Sequence, residues 1–341
     1  MPHRMGFVAT LGCMMFACVS APATSIAQAQ APTATAGATE LGKVTDDTVV
    51  ATVDGVPIRY VDVRRQVMGA LEGRKIPSQA MPLVYAQSLD QVVQRTLITG
   101  KLKAAKIEPT KEELDAAETA FQSSLRARNK TPDDYLRQTG FTADDIKAIR
   151  YWEIAWNRYA AEQLNDAALE KYFQSRRRDF DGTEVRVSHI LFRVEGQQDQ
   201  ATIPLAIEKA KKVRSELMGK SLTFAEAAAK YSAGPSRAQG GDLGFIPRYG
   251  RMVDEFSRAA FALKKDEVSE PVVSPFGVHL ILLTEEKPGT IEWQKVREPL
   301  TAAAKLNLFH TLGAELKAGA KIEYTGAIPH LDAAGNVVAG K

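Results

Sequence analysis

Cysteine is almost absent from this chain of 341 residues. The only two cysteines, Cys13 and Cys18, both fall within the first thirty positions. The rest of the chain therefore has no thiol, and it can form no disulfide and use no cysteine nucleophile. A disulfide-stapled fold and thiol chemistry are excluded beyond this N-terminal segment.

Strong charge of one sign and long apolar runs are missing as well. The formal net charge is +3, with 25% of the residues charged, which gives no indication of a nucleic-acid partner. After the N-terminus, no stretch approaches the roughly eighteen apolar residues that a spanning helix needs. We therefore expect a mature chain with no integral membrane segment, long enough for two domains.

Residues 1–29 have the layout of a secretory signal peptide. Arg4 precedes an apolar run from Met5 to Val19, and small residues follow up to an Ala27-Gln28-Ala29 cleavage motif. The alternatives are a membrane anchor, for which the run is short, and a lipid attached at Cys18. The pattern predicts export to the periplasm or an equivalent compartment, with a flexible leader over 30–46.

Residues 47–183 predict a short hairpin followed by a mainly helical domain. The hairpin is indicated by Asp54-Gly55 between two apolar runs. Thr110 and Glu113 form a capping-box pattern at the start of one helix. Another helix carries apolar side chains at three- and four-residue spacing: Ile146, Ile149, Trp152, Trp156 and Tyr159. This stripe indicates either the domain's own core or a partly exposed surface for unfolded chains.

From Thr183 onward, apolar residues recur at every second position and no longer at every third or fourth. Val185, Val187, His189 and Leu191 alternate with the residues between them, as in a strand. The segments that follow predict further helices and strands: helices near 201–219, 224–231 and 254–262, an apolar segment at 243–246, and strands near 271–274 and 278–284. A helical segment over 291–318, interrupted by Pro299, and a frayed tail from Gly326 complete the expectation.

Six motif blocks within 184–286 resemble the parvulin family of prolyl isomerases. In chain order they are Val187–Leu191, Gly240–Phe245, Met252–Phe256, Ala260–Leu263, Val268–Val272 and Phe276–Ile281. With their flanks, they resemble exported chaperones of the SurA and PrsA type. The resemblance implies an α+β fold: a small antiparallel sheet with surrounding helices, inserted in a mainly helical chaperone-like domain. It further implies a C-terminal helix over 287–325 that packs on the N-terminal domain, and a tail over 326–341.

The resemblance also implies a set of site residues. His189 and His279 would form a hydrogen-bonded pair that shapes the site, and Ser274 would join it; taken alone, each histidine is an ordinary buried residue. The proline slot would be lined by Leu243, Met252, Phe256 and Phe276. Without the resemblance, these four apolar side chains indicate only ordinary core residues. A third ligand at metal-binding spacing is not evident, so we expect neither metal nor cofactor.

Two departures from the family pattern bear on activity and substrate. Many parvulins carry Cys or Asp at the position of Gly234, and the segment 193–199 lacks the basic cluster of phosphate-directed members. Asp242 lies between glycines, and we expect its carboxylate to stabilise a turn. The expected function is isomerisation of X–Pro bonds in unfolded, unphosphorylated exported proteins, with chaperone activity. The alternative is a chaperone or peptide-binding module with weak or no isomerase activity.

Overall fold

The computed structural model describes residues 44–71, 80–193 and 202–340. The predicted signal peptide, most of the leader, and residues 194–199 of the segment after the first parvulin-like strand lie outside the described residues. The described residues form two compact units. One comprises the residues up to Gln163 together with those from Lys305 onward, and the other comprises Leu164–Ala304.

The elements before Leu164 belong to the first unit. They are β1 (Val49–Val53), β2 (Val56–Arg59), α1 (Tyr60–Leu71), α2 (Met81–Ala104), α3 (Lys111–Arg126), α4 (Pro132–Thr139) and α5 (Ala143–Gln163).

The second unit begins with two helices and continues with the parvulin-like segment. Its elements are α6 (Asp166–Ser175), α7 (Arg177–Phe180), β3 (Glu184–Phe192), α8 (Thr202–Met218), α9 (Phe224–Tyr231), β4 (Asp242–Pro247), α10 (Asp254–Ala262), β5 (Val272–Ser274) and β6 (Gly277–Lys287). Helix α11 (Arg297–Gly319) and three short strands follow: β7 (Ile322–Tyr324), β8 (His330–Leu331) and β9 (Val337–Val338).

Local sequence signals account for the start of the first unit. Asp54 and Gly55 adopt positive φ, which joins β1 and β2 as an antiparallel hairpin, as predicted. The Thr110 hydroxyl accepts from the Glu113 amide while the Glu113 carboxylate accepts from the Thr110 amide at 2.7 Å, so the capping box is confirmed. Strand β7 pairs with β1, so the C-terminal part of the chain completes a sheet begun near residue 49.

Two expectations about the C-terminal part are wrong. Pro299 does not interrupt a helix, because it is the third residue of α11 and lies in the first turn, where a missing N–H costs nothing. The tail is not frayed either. Ile328 is 1% exposed in the core beneath β1, and β8 pairs with β9.

The aromatic stripe of α5 packs within the first unit. Trp152 and Trp156 stack with their ring centroids 5.6 Å apart, and Phe309 of α11 meets both rings edge-on at 6.1 and 5.9 Å. These rings cover a buried core that includes Leu102 and Leu312. These rings are therefore part of the first unit's own core, and because both indole rings remain partly exposed, the surface for unfolded chains stays a prediction.

The second unit is built on a four-stranded antiparallel sheet in the order β4-β3-β6-β5. Strand β3 pairs with β4 and β6 along its edges, and helices cover both of its faces. One face packs Val185 and Val187 against Phe256 of α10, and the other packs Ile190 against α8 and α9. The predicted α+β class is correct. The expected domain limits, 183/184 and 286/287, stay predictions, and the compact unit around this sheet is wider than they suggest.

Close packing of α11 on α2 predicts opposite outcomes for two Gly→Ala substitutions. A methyl group at Gly313 would lie 2.5 Å from the side-chain oxygen of Gln94 and 2.8 Å from its Cγ, whereas one at Gly100 would meet nothing within 4 Å. Gly313→Ala should lower the free energy of unfolding by about 1–3 kcal/mol. Gly100→Ala should raise it by up to about 1 kcal/mol. Urea unfolding followed by circular dichroism measures both, and equal effects would contradict the close contact.

Candidate functional site

Two buried imidazoles lie side by side on the sheet of the second unit. His189 belongs to β3 and His279 to the neighbouring strand β6, and their side chains are 7% and 4% exposed. Their Nδ1 atoms are 3.3 Å apart, and the rings are nearly parallel with centroids 5.5 Å apart. One Nδ1 must donate and the other must accept, so the two tautomers depend on each other.

Burial decides the charge of this pair. Loss of solvent, and to a smaller extent the neighbouring His189, together lower the pKa of His279 to about 4. Desolvation also lowers the pKa of His189. Because His279 titrates far below neutral pH and His189 shifts the same way, we treat the pair as uncharged near pH 7. The pair therefore offers directed hydrogen bonds rather than a positive charge.

Ser274 extends the histidine pair toward the surface. Its hydroxyl lies 2.7 Å from Nε2 of His279 and accepts the backbone N–H of Phe276 at 3.1 Å. Phe276 occupies the turn between β5 and β6, and its side chain is 62% exposed. The four polar groups thus form one chain that leads from the protein interior to an exposed aromatic side chain.

Phe256 of α10 covers the other side of the two imidazoles. Its ring meets both edge-on, with centroids 5.8 Å from His189 and 5.3 Å from His279. Leu243 and Met252 are partly buried and pack against the same apolar cluster as Phe256. The structure therefore brings Leu243, Met252 and Phe256 into one apolar cluster, in which Phe256 contacts both histidines. Phe276 is linked to His279 by its backbone N–H, through the Ser274 hydroxyl, and its side chain is exposed.

A tight glycine turn fixes the backbone behind His189. The His189 amide donates to the carbonyl of Gly241 at 2.9 Å, and a Cβ at Gly241 would lie 2.4 Å from the His189 carbonyl oxygen. Gly241 also has φ +84°, a conformation that favours glycine. Asp242 accepts from the Gly244 amide at 2.9 Å and pairs with Arg186 at 2.7 Å, so its predicted role in the turn is confirmed.

Gly234 lies against the far nitrogen of His189. A Cβ at this position would be 2.9 Å from Nε2 of His189 and 3.3 Å from the hydroxyl of Ser232. Within the part of the chain that the structure describes, this buried Nε2 has no hydrogen-bond partner. The imidazole therefore occupies space that a side chain at position 234 would need.

Ser232 has a structural role that no local sequence pattern indicates. Its hydroxyl accepts the amides of Leu191 and Gly234, each at 3.1 Å, and so ties the segment after α9 to the strand that carries His189. A serine two residues before a Gly-Pro pair is too common a pattern to have revealed this contact. The residue determines how closely Gly234 approaches the histidine.

Across residues 44–71, 80–193 and 202–340, no three His, Cys, Asp or Glu side chains are grouped so that they could hold a metal ion. Over the same ranges, no helix combines the length and apolar character needed to cross a membrane.

Comparison with known proteins places the site within a matched domain. The rotamase family, the PpiC-type PPIase domain, matches residues 189–285. Foldase protein PrsA 1 of Bacillus cereus is 36% identical over 49% of this chain and 54% of that protein. Foldase protein PrsA of Bacillus subtilis is 30% identical over 65% of this chain and 67% of that protein.

A third relative carries a different name. Chaperone SurA of Albidiferax ferrireducens is 29% identical over 67% of this chain and 48% of that protein. The chain therefore spans about half to two thirds of the length of these relatives.

The contact between Gly234 and His189 predicts the effect of adding one methyl group. Gly234 has φ −77°, which alanine tolerates, so Gly234→Ala acts through the Cβ and not through backbone strain. We expect the free energy of unfolding to fall by about 1–3 kcal/mol. The imidazole ¹⁵N resonances of His189 and His279 should shift together, because the rings share a hydrogen bond. Ala233→Ser, at the exposed neighbouring position, is the control. Unchanged resonances in Gly234→Ala would contradict the contact.

Proposed function

The chain belongs to the PrsA and SurA family of foldases with a parvulin domain, and from this we propose that it is a peptidyl-prolyl cis–trans isomerase. The site that we assign to this reaction is the apolar slot of Leu243, Met252 and Phe256 beside His189 and His279. The observation that carries the proposal is the contact of Phe256 with both uncharged imidazoles. This contact brings an apolar surface next to the hydrogen-bonded network of His189, His279 and Ser274.

The chemistry of the reaction suits such a site. The X–Pro amide rotates across a barrier of roughly 18–20 kcal/mol, and no covalent bond has to break. An enzyme needs only to bind the twisted amide more tightly than either planar form. A thousandfold acceleration requires about 4 kcal/mol of such differential binding. This amount is within reach of an apolar slot and a few oriented hydrogen bonds.

Each group has a separate role in this proposal. The proline ring enters the slot beside Met252, whose flexible side chain adapts to its shape. As the amide twists, its nitrogen loses conjugation and favours an apolar surrounding, which the slot supplies. Ser274, held by His279, lies at the open side of the network and is the group that we assign to orienting the substrate carbonyl.

We infer that the substrates are unfolded, exported polypeptides that contain proline and no phosphate. The N-terminal pattern of residues 1–29 supports export to the periplasm or an equivalent compartment. The names of the relatives, foldase and chaperone, support action on proteins that are still folding. In this proposal the first unit contributes chaperone activity.

A second candidate function is a chaperone or peptide-binding module with weak or no isomerase activity. The observation that favours it is Gly234, since the buried Nε2 of His189 has no partner among the described residues at the position where many parvulins carry Cys or Asp. The slot would then bind proline without stabilising the twisted amide.

Removal of one slot residue tests the proposed function. Met252→Ala should lower kcat/KM for a proline-containing peptide about tenfold or more, because a gap replaces the contact with the proline ring. Met218→Ala, at a position on α8 that is 61% exposed, should leave it unchanged. A protease-coupled assay with the full chain measures both variants.

The same assay separates the two candidate functions. No acceleration by the unmodified protein, together with binding of the peptide, would support the second candidate. Equal rates for the unmodified protein and Met252→Ala would remove the slot from the mechanism.

A further inference from the structure

One residue of the proposed proline slot, Met252, lies on a segment without regular secondary structure. Residues 248–253 connect β4 to α10 without forming a helix or a strand, and they carry Met252. A methionine on such a segment is positioned only as well as the segment itself, because backbone ladders do not hold it in place. Side chains must therefore fix these residues.

Arg248 fixes the start of the segment. Its side chain is 7% exposed, donates to Asp254 at 2.8 Å and lies 3.4 Å from Asp179. This arginine ties the segment to the first turn of α10 and to α7. Neither of these two carboxylates belongs to β4, the strand that carries the slot residue Leu243.

Arg251 provides the connection to β4. One of its terminal nitrogens donates to the carbonyl of Leu243 at 3.1 Å, and the other donates to the carbonyl of Phe245. The two carbonyls belong to alternate residues of one strand, and a guanidinium presents two donors in a rigid fork that suits such a pair. Because β4 is the outermost strand of its sheet, one of its edges has no strand partner.

We propose that Arg251 is a positioning residue for the slot. Its guanidinium clamps the segment that carries Met252 to the strand that carries Leu243, and this sets the distance between two walls of the slot. Arg251 is exposed and acts through Met252. The inference rests on the proposed function in one respect, namely that the slot receives a proline ring.

A double-mutant cycle tests the clamp. Arg251→Met keeps an unbranched apolar side chain, although a shorter one, and removes both donors. It should raise KM for a proline-containing peptide about fivefold or more with kcat changed less than about twofold, because it loosens the slot before the amide twists. In the Met252→Ala background the same substitution should change KM by less than about twofold. An effect of equal size in both backgrounds would overturn the proposal.

The control is Arg237→Met. Arg237 also donates to a backbone carbonyl, that of Ala229 at 2.7 Å, but contacts neither slot wall. It should leave KM unchanged. A rise in KM equal to that of Arg251→Met would mean that loss of any such arginine loosens the unit.

A second readout does not require catalysis. Amide hydrogen exchange of residues 249–253 should become at least about fivefold faster in Arg251→Met and remain unchanged in Arg237→Met. Unchanged exchange in Arg251→Met would overturn the clamp, whether or not the protein is an isomerase. If the unmodified protein does not accelerate isomerisation, the proposed function fails, and the clamp is then judged by this exchange rate.

Discussion

The hydrogen bond between two buried, uncharged imidazoles is the constraint on which the site of the second unit depends. Charging either ring at its depth is costly, so both are held by neutral partners, although Nε2 of His189 has no partner among the described residues. Nδ1 of each ring uses the other ring, and Nε2 of His279 uses Ser274. The positions of β5, β6 and the turn at Phe276 follow from these contacts.

The apolar part of the site is organised around the same rings. Phe256 packs on both imidazoles, and Met252 and Leu243 pack against the same apolar cluster. The histidines and Phe256 are fixed by regular elements, whereas Met252 is fixed through the arginines of its own segment. A reaction that needs shape and a low-polarity surrounding, and no transferred charge, matches such an arrangement.

The sequence was sufficient for features that depend on local patterns. Alternation of apolar residues predicted β3, and the Gly-Gly-Asp turn predicted the role of Asp242. The family resemblance, and no local pattern, suggested that His189 and His279 are paired. Ser232 and Arg251 escaped prediction because their partners are a distant strand and the carbonyls of β4, and carbonyls carry no sequence signal. Pro299 and the tail were mispredicted since a helix start and a contact of Ile328 with the sheet outweigh local composition.

The central claim is that the slot accelerates rotation of the X–Pro amide, and exchange NMR on a proline-containing peptide tests it most directly. Uncatalysed exchange between cis and trans forms takes tens to hundreds of seconds. With a small fraction of the full chain added, the account predicts exchange cross-peaks between the two forms within about one second of mixing. Peptide signals that shift or broaden through binding, without such cross-peaks, would contradict it.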